Sequence, residues 1–482
     1  MIVILVAIAV CLLLLGIWSA LHPYDALILL LGLLVFHSGA VHVLQNVFQM
    51  DSRLLLLLSS WKEVVIAGVV VAALVRFRRR PFRPDFIALV VIAFLGLIGI
   101  RVALDMVARV GLSDELLGAR NASEFAILFL AVTILAPDVA WLRRASWVLV
   151  PLVLLAAEVG IVQLLFGFRF YNVLYHAPGE VLTSAFSAKF GGLIVPRAVG
   201  TYTAPNEFGL GLVIYLVAIL LPLAFTRLNS ATRTLLAVAA TLACLALALT
   251  YSRSAWLGVA LAVPVVALLL RRPIARWVDA HRRRGMAHMR MMTMCLAAIV
   301  VLVGGVFVVS GGFRFLVTTL TGQEASAAGR PTSLSNGIEA LLSHPLGGGL
   351  TSAGPKAKSL NPTAVLTENW YLVYGIQLGW LALAALCTFA AACLVSLARR
   401  VNATLTSIDA VTERVAFQVG AIGALLAALG GALFIPALLD LPASLTVWTF
   451  VAVALVPATV EPVDAPTRLD TAEAQPPAAP AT

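Results

Sequence analysis

The feature that most constrains this chain is a series of long apolar runs that recur along most of its length. Each run has roughly 17 to 25 residues, which is the length an α-helix needs to cross about 30 Å of hydrocarbon. Short polar breaks separate the runs, and the period-two alternation of barrel strands is absent. Because only helices and closed barrels satisfy their backbone hydrogen bonds in lipid, the sequence predicts an all-α, polytopic transmembrane helical bundle.

The composition agrees with a membrane protein and not with a soluble one. Hydrophobic residues make up 61% of the chain and charged residues only 12%, whereas soluble domains are about half apolar and a quarter charged. The net charge of +10 comes from arginines in the breaks between runs, so membrane topology explains it and we expect no nucleic-acid partner. The five cysteines fall in apolar runs without metal or disulfide spacing, which indicates buried, inert thiols.

The apolar runs predict 12 to 13 membrane spans. The candidate spans are residues 2–20, 24–42, 56–75, 86–106, 122–140, 146–167, 207–226, 234–250, 255–270, 292–310, 370–396, 415–436 and 443–459. The first run lacks a basic start and an A-x-A cleavage site, so we expect a retained span and not a removed signal peptide. Gly420, Gly423 and Gly430 are predicted to be helix-packing positions.

Arginine clusters in the polar breaks indicate which side of the bundle faces the cytoplasm. The clusters lie at residues 76–83, 143–144, 227–233, 271–290 and 399–400. Positively charged loops stay on the cytoplasmic side, and all five clusters fall on one side of the predicted topology. With 13 spans the N-terminus lies outside; with 12, one early span being false, it lies inside.

Two segments on the opposite side, 168–206 and 311–369, are too long to be simple turns. Loops beyond about 12–15 residues are usually functional or disordered. Within the second segment, residues 331–343 predict a short amphipathic helix that lies on the bundle. Its predicted apolar side consists of Leu334, Ile338, Leu341 and Leu342.

Four polar clusters lie on this second side, and their order is informative. They are residues 196–207, 250–256, 329–330 with 343–350, and 368–372. They contain R-x-x-G-T-x-x-x-P-N from Arg197, T-x-S-R-S-A-W from Thr250, then HPL-G-x-G from His344 and EN-x-YL from Glu368. This order, over roughly residues 190–395, resembles the O-antigen ligase and polymerase family, which includes bacterial exopolysaccharide polymerases.

The resemblance implies a multi-pass protein of the bacterial inner membrane with a GT-C-like fold and a partly helical periplasmic loop. It implies a metal-independent, inverting glycosyltransferase without a cofactor. The donor would be a glycan on an undecaprenyl-diphosphate carrier, and the acceptor a hydroxyl of a glycan or of a lipid-linked glycan at the periplasmic face. Membrane lipids and polysaccharide export or chain-length proteins would be its other partners.

The resemblance also divides the chain into regions. Transmembrane helices are expected at 1–190 and 396–459, and the ligase/polymerase-like region at 191–395, with its periplasmic loop at 311–369. Residues 460–482 are rich in Ala, Pro and acidic residues, which is typical of a disordered cytoplasmic tail.

Arginines are the residues predicted to hold the donor. A departing polyprenyl diphosphate develops concentrated negative charge that must be stabilised, and the planar guanidinium fork binds phosphate oxygens bidentately without deprotonating. Arg197 and Arg253 are predicted to hold the diphosphate, with Arg330 contributing from the outer loop. The alternative is that these arginines snorkel to headgroups or bind loop carbonyls.

Glu368 is the predicted general base for the acceptor hydroxyl, a role that a carboxylate can fill particularly if partial burial raises its pKa. Many ligases of the resembled family carry histidine at this place, so Glu368 favours a polymerase over a ligase acting on lipid A core. Alternatively, Glu368 pairs with a loop arginine. Asn369 and Tyr371 either position sugar hydroxyls or cap and anchor the following span. Asn206 either binds ligand or caps the span after it.

Three further interpretations concern the remaining polar residues. The Gly347–Gly349 segment could form an anion-binding nest of backbone N–H groups. Lys62 with Glu63, and Arg101 with Asp105, are predicted ion pairs.

A secondary transporter is the rival function, and it would place ionisable groups along a central path between internal repeats. The sequence shows no metal-binding spacing.

Overall fold

A computed structural model describes residues 2–79, 82–107, 112–175, 186–190, 193–226, 228–283, 330–407, 412–435 and 441–457. Helices account for 82% of these residues and strands for very few, which confirms the predicted all-α, polytopic bundle. One antiparallel hairpin, which the sequence analysis did not anticipate, joins β1 (Ser187–Phe190) to β2 (Leu193–Pro196), with Ser187 opposite Pro196.

The helices follow one another along the chain with short connections. They are α1 (Ile2–Leu21), α2 (Pro23–His42), α3 (Ser52–Ser59), α4 (Trp61–Arg79), α5 (Phe86–Val107), α6 (Leu112–Leu135), α7 (Val139–Phe166), α8 (Phe168–Tyr175), α9 (Pro205–Ala224), α10 (Ser230–Leu249), α11 (Arg253–Arg283), α12 (Arg330–Ser343), α13 (Pro355–Leu360), α14 (Trp370–Leu378), α15 (Trp380–Ser407), α16 (Glu413–Gly431) and α17 (Leu441–Ala454). A π-helical turn at Val43–Val47 extends α2, and another at Leu216–Leu220 interrupts α9.

Within the described residues, 10 helices are long and apolar enough to cross a membrane. Two shorter apolar helices, Leu5–Leu21 and Pro442–Ala454, coincide with the first and last predicted spans. The predicted span 292–310 and the tail 460–482 lie outside the described residues.

The structure ends one predicted span early and divides another into two helices. The predicted span 122–140 is wrong at its end, because α6 stops at Leu135 and Asp138 caps α7 by accepting a hydrogen bond from the Trp141 N–H (2.8 Å). The predicted span 370–396 is two helices broken at Gly379, whose φ is +85°. A Cβ at Gly379 would lie 2.7 Å from the Pro345 carbonyl oxygen, so the break accommodates a loop that only glycine lets approach this closely.

The centre of the bundle is α16, which is buried along nearly its whole length and packs most extensively on α11. The predicted packing glycines are confirmed: Gly420 and Gly423 lie against Val217, and Gly430 lies against Leu261. Small residues at such contacts let helix backbones approach closely in a membrane.

Side-chain contacts define the two ends of the bundle. Arg76 donates to the Tyr24 hydroxyl (2.9 Å) and Arg144 pairs with Asp25 (3.2 Å), so two of the predicted arginine clusters meet at one end. We call this the arginine-rich end. The opposite end, where the polar clusters described next are found, is called the loop end.

Candidate functional site

The segment that carries Arg197 is fixed at the loop end by a buried glutamine of α7. Gln163 donates to the Gly200 carbonyl oxygen (2.6 Å), and its own oxygen accepts from the N–H groups of Val199 (3.2 Å) and Gly200 (2.9 Å). Gln163 is only 2% exposed. Gln163 was not among the residues predicted for the site, although an amide inside the apolar run 146–167 is a signal, because buried polar groups need partners.

Two further helices hold the same segment from other sides. The Ala198 N–H donates to Leu249 at the end of α10 (2.9 Å). Thr201 donates its hydroxyl to the Val35 carbonyl of α2 (2.5 Å) and accepts from the Gly39 N–H (2.9 Å). Residues 197–201 therefore have little conformational freedom, and the backbone position of Arg197 is defined by α2, α7 and α10 together.

The Arg197 side chain binds the turn between α10 and α11. Its Nε donates to the Thr250 carbonyl oxygen (2.8 Å), and one terminal nitrogen donates to Asn206 Oδ1 (2.6 Å) and to the Tyr251 carbonyl (3.4 Å). The structure thus brings the predicted residues Arg197 and Asn206 together, and the contacts with Thr250 and Tyr251 match the alternative in which Arg197 binds loop carbonyls. Asn206 is not the cap of the following span as predicted, because α9 begins at Pro205 with Ala204 as its N-cap residue.

The turn itself is buried and under backbone strain. Thr250, Tyr251 and Ser252 are each at most 1% exposed, and Tyr251 has a φ of +49°, which non-glycine residues rarely adopt. The Ser252 hydroxyl accepts from the Ala255 N–H (3.3 Å) and so caps α11.

Arg253 is the first residue of α11 and is half-buried. A helix N-terminus carries a partial positive charge, so a cation there is disfavoured by about 0.3–1 kcal/mol unless an anion is close. The Arg197 guanidinium is bonded to the carbonyls of Thr250 and Tyr251, two residues of the turn before α11. Both predicted arginines are therefore associated with the turn that leads into α11.

Burial keeps two tyrosines beside this segment in the neutral form. Tyr171 of α8 donates its hydroxyl to the Arg197 carbonyl oxygen; burial raises its pKa, and the positive charge of Arg197 opposes that rise in part. Burial also raises the pKa of Tyr202 well above its ordinary value. Both phenols remain hydrogen-bond donors at neutral pH.

The Glu368 segment lies at the N-terminus of α14. Asn369 caps this helix by accepting from the Leu372 N–H (3.0 Å), and it donates to the Leu433 carbonyl (3.0 Å). The Tyr371 hydroxyl donates to the Leu429 carbonyl (3.0 Å). These contacts match the capping and anchoring alternative for Asn369 and Tyr371. Glu368 itself is exposed, so the condition of partial burial is not met.

The end of α16 lies close to both the start of α11, where Arg253 lies, and the start of α14, which follows Glu368. The Trp370 N–H donates to the Ala432 carbonyl (3.0 Å), and a Cβ at Gly430 would lie 3.9 Å from Cγ of Leu257. Leu257 is one helical turn after Arg253. Since α16 touches α11 and the start of α14 within a few residues, Arg253 and Glu368 belong to the same end of the bundle.

The predicted anion nest at the glycine-rich segment is wrong. Each of its N–H groups already has a carbonyl acceptor: Gly347 donates to His344 (2.9 Å), Gly348 to Ile376 (2.7 Å) and Gly349 to Gln377 (3.2 Å). The last two acceptors are carbonyls that the break at Gly379 leaves without partners in α14. The glycines therefore pair with an interrupted helix.

Buried ionisable groups attach this glycine-rich loop to α5 and α6. Arg101 pairs with Asp105 (2.9 and 2.5 Å), as predicted, and donates to the Gly347 carbonyl (2.8 Å). Thr351 donates to Glu115 (3.3 Å). The second predicted pair, Lys62 with Glu63, is also present, with the nitrogen and oxygen atoms 3.1 Å apart.

Helix α12 is present but does not bury the predicted apolar side. Leu341 is buried, whereas Leu334, Ile338 and Leu342 are exposed, because Gly337 and Leu341 form the actual contact with Leu372, Thr367 and Gly375. Arg330 is the first residue of this helix, and its side chain lies outside the described part of the structure. Among the described residues, no three His, Cys, Asp or Glu side chains are grouped closely enough to hold a metal ion.

Comparison with protein-family models matches residues 236–387 to the family described as O-antigen ligase. The matched segment runs from α10 into α15 and so contains Arg253, α12 and Glu368; Arg197 precedes it. Comparison with curated proteins finds no match for the chain.

Proposed function

We propose that this chain, whose residues 236–387 match the O-antigen ligase family model, is a membrane glycosyltransferase. It would transfer a glycan from an undecaprenyl-diphosphate carrier to an acceptor hydroxyl. One observation carries the proposal: the Arg197 side chain is bonded to the turn that presents Arg253 at the start of α11. Two guanidinium groups at a helix N-terminus suit a diphosphate, because both the side chains and the helix dipole favour negative charge.

The proposed reaction is a direct displacement. The acceptor oxygen attacks the anomeric carbon opposite the diphosphate, a glycosidic bond forms with inversion, and the bond to the diphosphate breaks with its electron pair leaving on the polyprenyl diphosphate. The acceptor proton passes to the Glu368 carboxylate. Arg197 and Arg253 stabilise the departing charge, with Arg330 as a third cation, so the reaction as proposed needs no metal ion.

The neighbouring polar residues act as positioning residues in this proposal. Asn206 accepts from the Arg197 guanidinium and sets its orientation. Asn369 and Tyr371 tie the start of α14 to the end of α16, and so fix where Glu368 stands relative to α11. A shift of about 1 Å in such a group is enough to slow an enzyme about 10²-fold.

A polysaccharide polymerase is the first choice and an O-antigen-type ligase the second. The reason is Glu368, since many ligases of the family carry histidine at this place. In either case we expect the loop end to face the periplasm across the bacterial inner membrane, because the arginine clusters mark the cytoplasmic side.

The test is reconstitution of the full chain in proteoliposomes with an undecaprenyl-diphosphate-linked oligosaccharide. Supplying the lipid-linked glycan alone tests polymerisation, and adding lipid A core tests ligation. We expect Arg253→Ala to lower the rate about 10²–10³-fold, the usual effect of removing one preorganised charge-stabilising donor. The matched control is Arg143→Ala, which removes an exposed arginine paired with Glu413 (3.1 Å) at the arginine-rich end and should leave the rate unchanged.

Full activity of Arg253→Ala would overturn the assignment of the site. Movement of the intact glycan across the membrane without any new glycosidic bond would overturn glycosyl transfer and favour the transporter.

A further inference from the structure

A cleft of about 400 Å³ lies between α12 and the segment that leads to Glu368. Its lining consists of Asn336, Glu339, Ala340 and Ser343 on the helix, and Val365 and Leu366 opposite. The volume falls within the range of small-ligand sites, about 300–1,000 Å³. Neither the motifs nor the proposed chemistry assigns a role to this cleft.

The wall opposite the helix is held in place by backbone and side-chain hydrogen bonds. The Val365 N–H donates to the Ser352 carbonyl (2.8 Å), and the Val365 carbonyl accepts from the Gly354 N–H (2.9 Å). The Ser333 hydroxyl of α12 donates to the Leu366 carbonyl (3.1 Å). The cleft is therefore formed by the fold and does not depend on a bound ligand to order it.

Helix α12 presents three different sides. Gly337 and Leu341 are buried against α14 and its preceding segment. Leu334, Ile338 and Leu342, four residues apart, form an exposed apolar stripe. The cleft residues Asn336, Glu339 and Ser343 lie on the remaining side, since positions three, four and seven apart share a helix face. The polar side chains are thus segregated from the apolar stripe and gathered over the cleft.

We propose that this cleft binds the acceptor glycan, and that it selects uncharged or amine-bearing sugars over acidic ones. Asn336 supplies both donors and acceptors, Ser343 supplies one of each, and Glu339 accepts from pairs of hydroxyls. Leu366, which is 54% exposed, offers an apolar surface to the carbon–hydrogen face of a sugar ring. Among the residues that line the cleft, Glu339 is the one with an ionisable side chain. Its carboxylate would repel the carboxylate of an acidic sugar, because like charges brought together disfavour binding.

The position of the cleft relates it to the reaction. Leu366 precedes Glu368 by two residues, and an extended step of two residues spans about 7 Å. A glycan held in the cleft would therefore reach the proposed base with its terminal sugar. The role of the cleft as an acceptor site rests on the proposed function. Binding of a glycan to the cleft can nevertheless be measured without the lipid-linked donor.

The experiment is saturation-transfer NMR on the full chain in nanodiscs with three tetrasaccharide probes. The probes are neutral chitotetraose, its fully deacetylated amine-bearing counterpart and acidic tetragalacturonate. We expect saturation transfer to the first two probes and at least tenfold weaker transfer to the third. Asn336→Ala should reduce the signal of the neutral probe severalfold, since it removes one or two hydrogen bonds to the sugar. Glu339→Gln should raise the signal of the acidic probe relative to the neutral one.

The matched control is Ser335→Ala, on the same helix, whose hydroxyl donates to the Thr332 carbonyl (3.0 Å) and does not line the cleft. It should behave as the unmodified protein. The proposal is overturned if neither the neutral nor the amine-bearing probe receives saturation, if the acidic probe binds as well as the neutral one, or if the two cleft variants match the control. Binding without glycosyl transfer would overturn the proposed function alone, and transfer without binding would overturn the cleft alone.

Discussion

Replacing Gln163 with methionine is the perturbation that most sharply separates fold from function at this site. The substitution keeps the side-chain length and removes all three hydrogen bonds to the 197–201 segment. The N–H groups of Val199 and Gly200 and the Gly200 carbonyl would then be buried without their partner. At the lower bound of about 1 kcal/mol for each such group, the loss of stability is about 3 kcal/mol.

The functional effect should exceed what the stability loss explains. Arg197 begins the segment that Gln163 fixes, so its guanidinium should move relative to the turn before Arg253. A displacement of about 1 Å from productive geometry is expected to lower kcat about 10²-fold. The assays are thermal unfolding of the detergent-solubilised protein and the initial rate of glycosyl transfer in proteoliposomes.

Gln418→Met is the matched control. Gln418 is equally buried, but it lies in α16 toward the arginine-rich end and makes one hydrogen bond, to the Ala454 carbonyl (3.2 Å). We expect a loss of about 1 kcal/mol and an unchanged kcat. Equal stability losses and equal rates in the two variants would refute the reasoning that Gln163 holds the catalytic segment.

Three further outcomes are expected. Glu368→Gln should lower kcat about 10²–10⁴-fold with little change in melting temperature; a rate near that of the unmodified protein would exclude Glu368 as the base. Arg101→Ala leaves the Asp105 carboxylate buried without its cation, so it should destabilise the protein by about 3–5 kcal/mol and speed hydrogen exchange in the glycine-rich loop; unchanged exchange there would show that the ion pair does not hold the loop. Gly379→Ala should lower the melting temperature, because a Cβ would lie 2.7 Å from a loop carbonyl oxygen at a positive φ; an unchanged melting temperature would show that the break tolerates a side chain.

The sequence predicted the fold class because membrane spans follow from hydrophobicity alone. It also predicted the local ion pair of Arg101 with Asp105 and the packing role of Gly430, since both depend on spacing along one helix. The break at Gly379 could not be predicted in this way. It depends on a loop more than thirty residues earlier in the chain, around Pro345, that lies against it.

The contacts among the candidate site residues could be predicted only in part. The order of the motifs brought Arg197, Asn206 and Arg253 into one hypothesis, and the structure joins the first two directly. Whether an asparagine caps a helix or binds a side chain depends on tertiary contacts, so Asn206 and Asn369 could not be told apart from sequence. Gln163 was missed because one amide in an apolar run gives no indication of the loop it will contact.

The most direct test of the central claim is a double-mutant cycle on the affinity for undecaprenyl diphosphate, measured by titration calorimetry in nanodiscs. Arg197→Lys and Arg253→Lys each keep the charge and lose the bidentate fork. If both arginines hold one diphosphate, each substitution weakens binding and the double variant departs from additivity by about 0.5–3 kcal/mol. Affinity unchanged in both single variants, or losses that simply add, would contradict a shared diphosphate site at the start of α11.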